Sequence, residues 1–311
     1  MLVVVALGGN AILRRGEPMS VSSQRDAIAT ACVPLAQIAA HHDLVVSHGN
    51  GPQVGLLALQ AASYDQVSEY PFDVLGAQTE GMLGYLIEQE LGNRLGNDRP
   101  IATLVTRTVV DADDPAFAAP TKFVGPVYSV EEAQRVGAAH GWQMRVDGLS
   151  MRRVVPSPTP LRILETQPIQ WILDRQGVVI CAGGGGVPTT HDVLTDTVVG
   201  VEAVIDKDLA SAVLARDLGA HLLVIATDVD GVYTGWDTPD QRLIARAHPD
   251  ALDPADFPSG SMGPKVRAAA QFARESDGTA VIGSLTDIDK MFAGTAGTVL
   301  TTDADGIEYR P

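Results

Sequence analysis

The sequence holds four lysines against eighteen arginines, and three of the four stand in segments suited to handling phosphate. Lys122 lies in PTKFVGP, Lys207 in VIDKDLA and Lys265 in GSMGPKV, each flanked by glycine, proline or acid rather than by a solvated helix face. An ammonium group is a compact point charge on a flexible stem. It can follow a phosphoryl group between two oxygens where a planar guanidinium would fit badly. Where arginine has replaced lysine almost throughout, the survivors are candidates for chemistry. Coding bias would also leave some lysines by chance, as Lys290 in DIDK illustrates, so the weight rests on the local contexts.

Three glycine clusters supply the first context: LGGN at 7–10, HGNGPQVG at 48–55 and AGGGG at 182–186. Glycine lets backbone N–H groups approach an anion closely, and a helix starting just behind adds its positive dipole end. Pro52 in the second cluster suits the first turn of such a helix. One cluster is explained by a tight strand-to-helix turn, but three at corresponding strand ends favour a shared polyanion site. His48 could serve as a base, although a histidine in a glycine turn more often hydrogen-bonds the loop, and nothing beside it resembles a triad. GxxxxGK[ST] and GxGxxG are both absent, so this is neither a P-loop nor a dinucleotide fingerprint.

Around Lys207, Asp206 and Asp208 precede a helix whose apolar face includes Leu209, Val213 and Leu214. Asp208 can be the N-cap, or the two acids can orient Lys207 and organise magnesium. TDVDGVY at 227–233 follows a buried strand and carries a competent Asp-Gly turn. Lys265 falls in the first turn of a helix, where a cation opposes the dipole. That placement calls for an anion between lysine and helix.

The elements that position these residues are legible as an alternation. Continuous apolar runs at 2–7, 44–47, 101–105, 178–182, 222–226 and 279–282 read as strands buried on both faces. Helical patterns at 22–40, 76–92, 209–218 and 266–275 separate several of them. This predicts an α/β fold with a mostly parallel open sheet covered by helices on both sides, in three αβα layers, with ligands beyond the carboxyl ends of the strands. From about 107 to 160 the rhythm breaks, with prolines at 156, 158 and 160 and one short helical stretch near 129–140. A structureless loop of that length is improbable in a compact domain, so the segment predicts a small projecting subdomain that could act as a lid.

The bulk numbers set limits. At 311 residues, 45% of them hydrophobic, the chain supplies a large core. A net charge of −16 argues against nucleic acid or an anionic membrane as partner. It also requires any phosphate site to be a local positive island. Cys32 and Cys181 lack CxxC or zinc spacing and read as buried thiols of a reduced cytoplasmic protein. The apolar opening is short, has no basic residue before it and is broken by GGN, which fits a first strand rather than a signal peptide.

Taken together, ALGGNA, HGNGPQVG, PTKFVGP, RRVVPSP, AGGGGVP, GVEAVIDKDLA, TDVDGVY and GSMGPKV resemble, in order and over nearly the whole chain, the carbamate kinases of the amino acid kinase family. PTKFVGP, RRVVPSP and GSMGPKV are the more specific segments. The resemblance implies a homodimer of single amino acid kinase-like domains. Each would have an acceptor lobe at about 1–205, carrying the projecting subdomain, and a nucleotide lobe at about 206–311. It implies reversible phosphoryl transfer between ATP and carbamate, giving ADP and carbamoyl phosphate with Mg²⁺, in arginine or related nitrogen catabolism. Lys207 and Lys265 would contact the transferring phosphoryl and the nucleotide phosphates, Asp208 would position them, and Lys122 would close over carbamoyl phosphate. Gly8, Gly9, Asn10, Gly49, Asn50 and Gly51 would line the acceptor site. Asp206, Asp228, Tyr233, Met262 and Gly263 would border the nucleotide, and no residue is assigned as a protein metal ligand. The competing readings are a kinase of another small carboxylate or phosphate, against which PTKFVGP and the insertion speak, and a nucleotide-binding sensor without catalysis, against which the three lysines speak.

Overall fold

The computed structural model describes residues 1–14, 16–63, 69–96, 99–258 and 260–310. Its first strand, Leu2–Leu7 (β1), is buried at every position. Val3, Val5 and Leu7 face one hydrophobic core, and Leu2 and Val4 face another. The same two-sided burial recurs in Asp43–His48 (β2), where Leu44 and Val46 join the first core and Val45 the second. Alternating side chains must cross to opposite faces of a strand, so an unbroken apolar run needs a helical layer on each side.

Those layers are supplied in chain order. The short Gly9–Ile12 helix (α1) and the long Val21–His41 helix (α2), capped by Ser20, lead into β2. Gly51–Ala62 (α3) and Phe72–Leu95 (α4) follow. Ile28, Cys32 and Leu35 of α2 and Leu83, Ile87 and Leu91 of α4 close the first core. The next strands are Ile101–Thr103 (β3) and Arg107–Val110 (β4), and the latter opens the irregular region. There, Lys122–Tyr128 (β5), Val130–His140 (α5), Met144–Asp147 (β6) and Ser150–Val155 (β7) form a small sheet in the order β5-β7-β6 with one helix. Pro160–Ile163 (β8) ends it.

The expected boundaries of about 107 and 160 enclose more than this unit. β4 and β8 pair with each other, and together with Val187–Asp192 (β10) and Thr197–Gly200 (β11) they make a separate four-stranded sheet in the order β11-β10-β4-β8. The segment with a sheet of its own is therefore 122–155, and its ends are anchored by strands that belong elsewhere.

Thr166–Leu173 (α6) and Val178–Ile180 (β9) return the chain to the main sheet. Lys207–Asp217 (α7), Leu222–Thr227 (β12), Tyr233–Thr234 (β13), Arg242–Ala247 (β14), Met262–Glu275 (α8), Thr279–Ser284 (β15), Ile288–Phe292 (α9), Thr298–Leu300 (β16) and Ile307–Tyr309 (β17) complete it. Ile169 and Leu173 of α6, Val213 and Leu214 of α7 and Phe272 of α8 close the second core. The main sheet runs β13-β14-β16-β15-β12-β1-β2-β9-β3, with β17 on β14. From β15 through β12, β1, β2 and β9 to β3 every pairing is parallel.

β1 pairs with β2 on one side and, much later in the chain, with β12 on the other. This reversal of strand order beside β1 opens a crevice at the carboxyl ends of the strands. Expected strands at 101–105 and 178–182 end early, at Thr103 and Ile180. For β9 the reason is visible at Ala182, which turns into the left-handed region at φ 50° to enter the tetraglycine loop. No helix among the described residues is long and apolar enough to cross a membrane.

The 122–155 unit is seated by a glycine pair. A Cβ added at Gly55 on α3 would lie 2.2 Å from Cα of Gly125 in β5, and backbone cannot yield to that. Gly55→Leu is therefore expected to lift the unit off α3, detected as faster proteolytic cleavage within 122–155 in the ligand-free protein. An unchanged cleavage pattern would show that other contacts hold it.

Candidate active site

The glycine loops meet at the crevice. Gly8, after β1, sits against the end of β12, where an added Cβ would be 2.7 Å from the Ala226 carbonyl oxygen. Asn10 then reaches across the switch point, its side-chain amide donating to Asp228 Oδ2 at 2.9 Å. Gly9 and Gly51 face open space, with nothing within 4 Å of an added Cβ. This is the condition under which a ligand can approach backbone. Gly49 is covered by the stem of Lys207, whose Cδ would lie 3.7 Å from its added Cβ. Asn50 turns inward and donates to Thr79 Oγ1 at 2.8 Å. Pro52 occupies the second position of α3, one residue beyond Gly51.

The three singled-out lysines converge on two carboxylates. Asp208 is buried and accepts from Lys207 Nζ through Oδ1 and from Lys265 Nζ through Oδ2, the latter at 2.8 Å. Burial alone would raise the Asp208 carboxyl, but the two ammonium groups outweigh it and hold it well below the usual carboxylate range. Burial in turn lowers Lys207, with Asp208 opposing. Lys122 comes from the 122–155 unit and donates to Asp206 Oδ2 at 2.7 Å. There the carboxylate overcomes the burial of Lys122 and raises it, and Lys122 likewise lowers Asp206 against burial.

One expectation needs correction. The N-cap of α7 is Asp206, whose Oδ1 accepts from the backbone N–H groups of Asp208 at 3.0 Å and Leu209 at 3.3 Å. Asp208 lies inside the helix because its carboxylate is committed to the lysines. Asp206 Oδ2 meanwhile faces Lys122 of the 122–155 unit. The anion that Lys265 needs at its helix start is Asp208. Hydroxyls tie the cluster to the sheet, since Ser211 Oγ donates to the Lys207 carbonyl at 2.5 Å and lies 2.6 Å from Ser47 Oγ of β2.

The remaining expected residues lie around β12 to α8. Asp228 is exposed, with Thr227 Oγ1 donating to its Oδ1 at 3.2 Å. Tyr233 donates to Asp230 Oδ1 at 2.7 Å and meets Trp236 edge-on. Met262 opens α8 half-buried. The Gly263 N–H donates to the Pro258 carbonyl at 3.0 Å. The residue packs closely against the carbonyls of Pro254, Phe257 and Pro258.

Sequence reasoning missed a polar cluster beneath the third loop. Glu80 of α4 is 1% exposed. It accepts from Gly183 N and Thr106 Oγ1, both at 2.8 Å, and from Thr106 N at 3.0 Å. The signal was present: Thr79 and Glu80 stand on the stripe that continues through Leu83, Ile87 and Leu91, so the helical period puts them inside. His48 packs on the same loop, and its Nδ1–H donates to the Gly49 carbonyl at 3.1 Å. Burial pushes His48 down to about 4 and Glu80 up to about 8.

Among the described residues no three His, Cys, Asp or Glu side chains converge as a metal cage. Asp206 and Asp208 are engaged by lysines. This donor set fits Mg²⁺ arriving on nucleotide phosphates and keeping several waters, which is the usual habit of that ion, with Asp228 as an exposed carboxylate at the crevice.

The amino acid kinase family model matches residues 1–284. The chain is 53% identical over 309 residues to a carbamate kinase of Haemophilus influenzae, covering 99% of each. It is 53% identical over 310 residues to one of Rhizobium meliloti, covering 99% of this chain and 96% of the relative. The structure of a carbamate kinase from Giardia lamblia bound to AMP-PNP superposes with a TM-score of 0.88 at 38% identity, covering 96% of this chain and 98% of that one.

The state of His48 has a measurable consequence. Its ordinary value is 6.5 and its folded value about 4, so between these the unfolded chain binds the extra proton. Stability must therefore fall as pH drops through that window, with His48 contributing on the order of 3 kcal/mol in full. Denaturation midpoints measured from pH 7 to pH 4 should decline less steeply in His48→Gln than in the parent. Parallel declines would mean that His48 becomes charged within the fold.

Proposed function

The chain belongs to the amino acid kinase family, and we propose that it catalyses ATP + carbamate ⇌ ADP + carbamoyl phosphate. The observation that carries this reading is the convergence of Lys122, Lys207 and Lys265 on Asp206 and Asp208 beside the two open glycine loops. Three ammonium groups against two carboxylates make a positive island in a chain of net charge −16. That is where a phosphoryl group of high negative charge can bind.

Carbamate is already an anionic nucleophile, so its attack on the γ-phosphorus needs no proton removed. His48, buried, neutral and bonded to its own loop, is not required as a base. What remains is in-line positioning and neutralisation of charge on the phosphoryl oxygens. Backbone at Gly9 and Gly51 lines the acceptor pocket. Lys207, lying over Gly49, reaches the transferring group, and Lys265 at the start of α8 reaches the nucleotide phosphates. Lys122 exchanges Asp206 for the phosphate of carbamoyl phosphate when that substrate enters. Mg²⁺ bound to the nucleotide supplies further charge neutralisation.

The acceptor lobe at about 1–205 and the nucleotide lobe at about 206–311 meet along β1 and β12. Asn10 and Asp228 mark the seam, with Tyr233 and Met262 on the nucleotide side. A homodimer, a cytoplasmic location and a place in arginine or related nitrogen catabolism follow from the resemblance and form part of the same proposal.

The direct test supplies ADP, Mg²⁺ and carbamoyl phosphate and measures ATP. Ready phosphorylation of acetylglutamate with no ATP made from carbamoyl phosphate would refute the assignment. Within an active protein, Lys207→Ala should lower kcat by about 10²–10³, the usual cost of removing one preorganised charge from a developing oxyanion. Lys207→Arg should recover little of it. Near-normal turnover in either at saturating nucleotide would reduce Lys207 to a partner of Asp208. Lys122→Ala should raise KM for carbamoyl phosphate far more than KM for ADP, and an equal rise in both would place Lys122 wrongly.

A further inference from the structure

The tetraglycine loop between β9 and β10 has more holding it than a turn requires. Ala182, Gly184, Gly185 and Gly186 all have positive φ, at 50°, 65°, 96° and 84°. For Ala182, which carries a Cβ, that conformation is strained. Each glycine is also enforced by a different neighbour. An added Cβ at Gly183 would lie 2.5 Å from the His48 ring and 2.8 Å from Glu80 Cγ, and at Gly184 it would lie 2.0 Å from Asn50 Nδ2. At Gly185 it would be 2.8 Å from the Ile205 carbonyl, and at Gly186 2.2 Å from Thr108 Oγ1. The loop thus touches the second glycine loop through His48 and Asn50, and it touches the residue before the Asp206 cap through Ile205.

A single buried side chain fixes this conformation. Glu80 Oε1 accepts from Gly183 N–H and from the Thr106 hydroxyl, and Thr106 Oγ1 accepts in turn from Ala182 N–H at 2.8 Å. Glu80 Oε2 takes the Thr106 N–H. Every protein partner of the Glu80 carboxyl group is a donor, and two consecutive amides of the strained loop end in this one network. We propose that Glu80 is a positioning residue for the phosphoryl acceptor, acting through the tetraglycine loop on Asn50 and on the start of α7. The inference rests on the reading that the loops after β1 and β2 hold the acceptor.

Glu80→Gln preserves shape but turns an amide NH₂ against a backbone N–H. Thr106→Val removes the hydroxyl relay and leaves Glu80 intact. Thr106→Ser retains the relay. In the carbamoyl phosphate and ADP assay, Glu80→Gln and Thr106→Val are each expected to raise KM for carbamoyl phosphate by about tenfold or more, the consequence of one buried donor left unpaired. KM for ADP should stay within about twofold of the parent, and Thr106→Ser should resemble the parent. Equal rises in both KM values, or a lowered melting temperature with both KM values unchanged, would make Glu80 a buttress of the fold and overturn the proposal. A parent protein that makes no ATP from carbamoyl phosphate would overturn the acceptor reading itself, an outcome visible before any variant is made.

Discussion

One carboxylate held between two ammonium groups sets the terms for everything around it. Asp208 is buried, and the two lysines it joins are half-buried. Removing either kind of partner would strand charge in a poorly solvated interior, a loss typically of about 3–5 kcal/mol. Such a cluster adds little net stability compared with apolar packing. Its value lies in preorganisation. Lys207 and Lys265 come from different helices and would repel each other, and Asp208 fixes their spacing before any phosphate arrives.

The sheet explains why the cluster can form where it does. Parallel strands deliver all their carboxyl ends to one edge, so the loops after β1, β2, β9 and β12 become neighbours although they are scattered along the chain. The helices that follow start at that edge with their positive ends inward. α7 begins with the Asp206 cap and carries Lys207 and Asp208 in its first turn. Because the sheet is covered on both faces, polar groups gather at this edge rather than within the two cores.

How much of this could be read in advance follows from range. Strands buried on both faces announce themselves locally as apolar runs, and β1, β2 and β12 fall within a residue or two of the predicted spans. Lysines in glycine- and proline-rich segments were likewise visible one segment at a time. Pairings were not visible. Nothing in VIDKDLA says that Asp206 rather than Asp208 caps the helix, since that choice depends on Lys265 arriving 57 residues later and Lys122 lying 84 residues earlier. The limits of the irregular region depend on pairing in the same way, because β4 pairs with β10, outside the segment, as well as with β8. Glu80 was the one miss with a local signal, hidden because a glutamate in a long helix is ordinarily read as solvated.

The lysine–aspartate arrangement also bears on reversibility. Phosphoryl transfer between ADP and carbamoyl phosphate passes through the same charge-rich centre in either direction, so groups that neutralise the centre serve both. A side-chain base would not be symmetric in this way, since it would have to hold a proton at one end of the reaction and release it at the other. An anionic nucleophile in one direction and an anionic leaving group in the other remove that requirement. On the proposed reading, a cluster of fixed charges with His48 buried and neutral beneath it works without a side-chain base. What the fold must add is geometry, and it does so through glycine loops, of which the tetraglycine loop is held at each glycine by a neighbouring side chain or carbonyl.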